Sequence, residues 1–197
     1  MTLSTRSFIA RPTDPATGSR YSGRYCHFDG YPENQLPLLL GALQYRFAGD
    51  LEALRHHLVD APHDWSGLGM DLLEGAPEHV LNQIDPHAER FPSRPLDDVV
   101  TLSGVPAEPM TITQANADGL DWGYVLHDHG IEVIALTWDD RGGPIVSWDI
   151  SPLTRFQGTP SLWGRDRPVP VRPSRPALKV ATPVRPAPAP ARPRAAR

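Results

Sequence analysis

Residues 122–138 read Trp-Gly-Tyr-Val-Leu-His-Asp-His-Gly-Ile-Glu-Val-Ile-Ala-Leu-Thr-Trp, and this stretch decides the fold class. Two runs rich in β-branched and aromatic residues, Trp122–Leu126 and Ile131–Trp138, flank His127-Asp-His-Gly130, whose glycine is free to take a positive φ. The pattern predicts a β-hairpin. Arg141-Gly-Gly-Pro144 then makes a second turn before a third strand over Ile145–Ile150, so this part of the chain is a meander. Working outward, Arg6–Arg11 and Tyr21–Phe28 are two further strand-like segments. The spacer between them, Pro12-Thr-Asp-Pro-Ala-Thr-Gly-Ser19, is dense in turn residues and predicts a second hairpin.

Between the two hairpins the period changes. Leu36, Leu39, Leu40, Leu43 and Phe47 recur at helical spacing, and Pro37 fits if it falls in the first turn, with the N-cap near Asn34. Gly49 ends this helix and Asp50 can cap the next, whose stripe is Leu51, Leu54 and Leu58. From Gly67 to Gln114 six prolines interrupt every periodicity, and only Val99–Leu102 reads as a strand, so irregular structure with short elements is expected there. Strands, helices and then strands again predict an α+β fold with a mainly antiparallel sheet.

Composition divides the chain in two. It carries 23 prolines in 197 residues, and nine of them lie in residues 165–197. Those last residues hold nine basic side chains against one acid, a charge of +8. Residues 1–164 hold ten basic and 22 acidic side chains, a charge of −12. Residues 1–164 are expected to form one acidic α+β domain. Residues 165–197, which have no aromatic residue and little apolar content, are expected to be a disordered tail. The tail's cations could hold phosphates without sequence preference, through counterion release. No apolar run approaches the length of a membrane span, so no membrane partner is expected. A single cysteine, Cys26, cannot close an intramolecular disulfide, and no signal-like apolar stretch opens the chain. A reducing, cytoplasmic location is therefore expected.

The segment Tyr25-Cys-His-Phe-Asp-Gly-Tyr31 is the best candidate for a site. On a strand, alternation places Tyr25 and His27 on one face and Arg24, Cys26 and Phe28 on the other. One face then offers an aromatic ring and an imidazole, and Asp29 at the strand end could orient that imidazole. With Arg24, Tyr31 and Trp65, the candidate ligand-binding set is Arg24, Tyr25, His27, Asp29, Tyr31 and Trp65. Cys26, His27, Asp29, His56, His57, His63, His127 and His129 are metal-ligating types but show no metal-ligand spacing, so neither metal nor cofactor is expected. Catalytic motifs are likewise missing from the sequence. Cys26 and His27, as strand neighbours, point to opposite faces and make no dyad. The expectation is a non-enzymatic binding module for a small polar or nucleotide-like ligand. The alternatives are a nucleic-acid-associated protein acting through its tail and a small hydrolase using His27 with Asp29.

Thr5-Arg-Ser-Phe-Ile-Ala-Arg11, followed by Gly23-Arg-Tyr-Cys-His-Phe-Asp-Gly-Tyr-Pro32, resembles a family of small uncharacterised proteins from actinobacteria and bacteriophages. That family is marked by a TRSxIA start and a YCHWDGYP-type block. His63-Asp-Trp65 and Trp122-Gly-Tyr-Val125 match two later features, and the resemblance spans residues 4–140. Phe28 stands where the family block has tryptophan. The resemblance implies a setting in phage–host interplay and no particular activity.

Overall fold

Alternation along Ser7–Pro12 (β1) puts Phe8 and Ala10 on one face and Ser7 and Ile9 on the other. All four are buried, so the strand is covered on both sides. Tyr21–Cys26 (β2) pairs with it antiparallel, Ser7 opposite Cys26 and Pro12 opposite Tyr21. This computed structural model describes residues 5–13, 21–96, 110–112, 119–135 and 143–157. The tail, residues 165–197, lies outside them, as do the strand expected at Val99–Leu102 and the end of the one expected at Ile131–Trp138.

Trp122–His127 (β6) and Gly130–Ala135 (β7) make the expected hairpin, His127 opposite Gly130. Ile145–Ser147 (β8) lies antiparallel on β7, shorter than the strand expected there. Trp65–Gly67 (β3) runs parallel to the end of β2, and Arg94–Pro95 (β4) pairs antiparallel with β3. Met110–Ile112 (β5) pairs antiparallel with the other end of β2. The two hairpins join through β1 and β6, which are parallel, Ser7 opposite Trp122 and Ala10 opposite Val125. The order is β4-β3-β2-β1-β6-β7-β8 with β5 beside β2, a mixed, mostly antiparallel sheet in an α+β fold.

Two helices, Pro32–Gly41 (α1) and Leu51–Leu58 (α2), cover one face. Leu36, Leu39, Leu40, Leu54 and Leu58 pack with Ile9, Tyr124, Leu126, Ile131 and Val133 as the main core. Burying each leucine contributes roughly 1.5–3 kcal/mol. The helix start differs from expectation: Tyr31, not Asn34, is the N-cap, and Pro37 sits inside the helix. Its ring removes the donor that would meet the Glu33 carbonyl, and Glu33 is exposed, so water can serve that oxygen. After Gly41 the backbone widens into a π turn over Ala42–Arg46, with the Phe47 amide donating to the Ala42 carbonyl at 2.9 Å. Ala48 and Gly49, both at positive φ, then reverse the chain. Asp50 caps α2 as expected, accepting the Ala53 N–H at 2.9 Å.

The proline-rich stretch holds short elements, as expected, at places that no periodicity marked. Met70–Leu73 forms a 3-10 turn, and Glu78–Ile84 (α3) is a helix that buries Val80 and rests Leu81 and Ile84 against the main core. The opposite face of the sheet carries a smaller cluster of Phe8, Ala10, Leu120, Val125 and Ile134, flanked by Tyr21 and Tyr25. There Gly123 lets the Phe8 ring lie on the backbone, since a Cβ would stand 2.3 Å from it. Among the described residues no helix is long and apolar enough to cross a membrane.

Candidate functional site

Tyr25 and His27 share a face, as alternation requires, and touch: the Tyr25 hydroxyl meets His27 Nδ1 at 2.7 Å. Burial pushes the Tyr25 phenol up, Arg6 works against that, and Cys26 and Asp64 add to it. The Asp64 carboxylate also accepts the Tyr25 amide at 3.0 Å. Among the described residues it is this hydroxyl, and not Asp29, that meets the imidazole.

Arg24 and Cys26 point to the other face and are buried. Arg24 is 2% exposed, and its Nε donates to the Val59 carbonyl at 3.1 Å. Burial pushes the Cys26 thiol up to about 11, against the opposing pull of Gln35, whose Nε2 donates to the sulfur at 3.7 Å. A thiol held in that state is a poor nucleophile. Trp65 is also interior, its indole N–H donating to the Leu58 carbonyl at 2.9 Å. Arg24 and Trp65 are therefore turned away from solvent, each bonded to a backbone carbonyl.

Phe28 departs from the alternation. The strand stops at Cys26, and the Phe28 amide donates to the Ser66 carbonyl. Its ring meets the His27 ring edge-on at 4.3 Å and is 41% exposed. Asp29 follows at φ 59°, a conformation its short polar side chain tolerates, and its carbonyl accepts Gln35 Nε2 at 3.1 Å. Gly30 donates to the Thr5 carbonyl at 3.0 Å and accepts the buried Tyr124 hydroxyl at 2.7 Å. A Cβ at Gly30 would lie 2.7 Å from the Thr5 oxygen, so the close approach needs glycine. Tyr31, 45% exposed, then opens α1, its carbonyl accepting the Asn34 and Gln35 amides. Of the six expected residues, Tyr25 and His27 touch, and Asp29 and Tyr31 follow them in sequence on the exposed turn. Phe28 joins them, and only the position of the strand end could have revealed it.

A second polar group went unread in the sequence. Glu132 on β7 is buried, accepting the Gly143 amide at 3.2 Å and the Tyr21 hydroxyl at 3.3 Å and meeting His127 Nε2 at 2.8 Å. Burial resists its ionisation, but the bonds from His127, Gly143 and Tyr21 outweigh that and hold the carboxyl below its usual range. The signal was a lone carboxylate in an otherwise apolar strand. Its oxygens are occupied, so the arrangement ties three strands together. His57 stands between Phe47 and Trp65, with ring centroids 5.6 and 5.8 Å away, and its buried Nε2 has no hydrogen-bond partner. Among the described residues no three His, Cys, Asp or Glu side chains come together in a way that could hold a metal. The chain matches no family model, no curated protein and no solved structure.

Proposed function

We propose that this chain is a non-enzymatic binding module that takes a small polar, nucleotide-like ligand on the surface formed by Tyr25, His27, Phe28 and Tyr31. One observation carries the reading. Among the described residues three large hydrophobic side chains are exposed, and two of them, Phe28 and Tyr31, belong to the turn that follows the Tyr25–His27 pair, with the Phe28 ring against that of His27. Exposed rings offer stacking worth about 1–3 kcal/mol per base. The phenol and imidazole supply a polar edge for hydrogen bonds. The turn is already held by Thr5, Gln35, Tyr124 and Ser66, so little ordering is left for binding to oppose. The protonated, buried Cys26 and the separation of Asp29 from the imidazole favour binding over hydrolysis.

The test is a titration of the full chain with purine and pyrimidine mononucleotides, followed by amide chemical shifts. Shifts confined to residues 25–35, and lost in Phe28→Ala/Tyr31→Ala, are expected. Their absence, or their appearance at a distant surface, would remove the proposal.

A further inference from the structure

We propose that the proline- and arginine-rich end of this chain, residues 170–193, docks on the same Phe28–Tyr31 surface and competes there with the ligand. The inference rests on the reading of that surface as a binding site. Its starting point is a motif within the tail. Pro-x-Arg-Pro occurs four times, as Pro170-Val-Arg-Pro173, Pro173-Ser-Arg-Pro176, Pro183-Val-Arg-Pro186 and Pro190-Ala-Arg-Pro193. Such spacing suits the polyproline II helix, whose three residues per turn put the two prolines on one edge and the arginine on another. Segments of this kind are recognised by exposed aromatic rings, on which proline rings pack, with carboxylates nearby to receive the arginine.

The body offers that combination. Phe28 and Tyr31 are the exposed rings, and Asp29 and Glu33, both exposed, are interleaved with them in sequence. The charges also favour the contact, +8 on residues 165–197 against −12 on residues 1–164. Reach is not limiting. The forty residues after Gln157 would span roughly 120 Å in polyproline II, several times the radius of a domain of this size. Tethering then gives even a weak Pro-x-Arg-Pro contact a high effective concentration.

The experiment uses the full chain with Ala196→Cys carrying a nitroxide label, to which the buried Cys26 does not compete. Amide signals of residues 27–35 are expected to lose most of their intensity relative to the reduced label. Arg172→Glu, Arg175→Glu, Arg185→Glu and Arg192→Glu together should restore them, with an unchanged thermal midpoint as the check that the body stays folded. Broadening that is absent, spread evenly over the molecule, or equally strong when labelled chains are mixed with unlabelled ones would overturn intramolecular docking. A mononucleotide titration of the same sample separates the two readings. Nucleotide shifts at residues 25–35 without tail broadening would leave the ligand site standing and remove the tail from it.

Discussion

The Arg55 guanidinium donates to the Leu126 carbonyl through Nε at 3.0 Å and Nη2 at 2.6 Å. Its remaining contacts are the carboxylates of Glu52 and Asp128. It thereby ties α2 to the end of β6 from a buried position. Arg55→Met keeps the aliphatic stem but leaves the Leu126 carbonyl without its side-chain donors. A loss of about 2–3 kcal/mol is expected in denaturant unfolding. Phe28 and Tyr31 should behave in the opposite way. Both are exposed, and Phe28→Ala and Tyr31→Ala should each change stability by less than about 0.5 kcal/mol, while nucleotide-induced shifts disappear. A stability loss as large as that of Arg55→Met would mark the rings as packing and not as a binding surface.

At the scale of the element, local chemistry sets boundaries and long-range contacts correct them. The Asp50 cap was legible because an N-cap acts on the next three residues alone. Asp50→Ala should cost about 1 kcal/mol, seen as an earlier thermal midpoint. The start of α1 was not legible. Pro32 and Pro37 both suit a first turn, and the choice rests on Gly30, which Thr5, just ahead of β1, and Tyr124 on β6 hold from far along the chain. Gly30→Ala should therefore destabilise by about 1–3 kcal/mol through overpacking, although a turn glycine read locally looks replaceable. Helix α3 was missed because three apolar positions in seven residues, following Pro77, are too few for a period to show.

At the scale of the whole molecule, His57 and Glu132 are two of the described groups that make stability fall on the acid side. Burial, helped by Arg46, lowers the His57 pKa below 6.5, so the unfolded chain binds this proton more readily than the folded one. Stability present above pH 6.5 is then lost as pH falls from there through the folded value. Glu132, held below its ordinary 4.5, adds a second loss beginning near that pH, as the unfolded carboxylate protonates first. Denaturant midpoints followed from neutral to acid pH should show both losses. His57→Phe should remove the first and leave the second, and Glu132→Gln should do the reverse. A midpoint in His57→Phe that still falls just below pH 6.5 would contradict the assignment.

The sequence by itself determined the two hairpins, the leucine stripes of α1 and α2, the Asp50 cap and the shared face of Tyr25 and His27. All of these follow from interactions between residues a few positions apart, which period and turn chemistry record directly. Only the tertiary structure decided that β1 and β6 run parallel, that Arg24 and Trp65 turn inward onto the Val59 and Leu58 carbonyls, and that Phe28 leaves the strand to stand beside His27. It also decided that Tyr21, His127 and Glu132 meet. Those outcomes depend on which strands become neighbours. A polar side chain's role is then set by the distant backbone group or ring that reaches it, which no local pattern encodes.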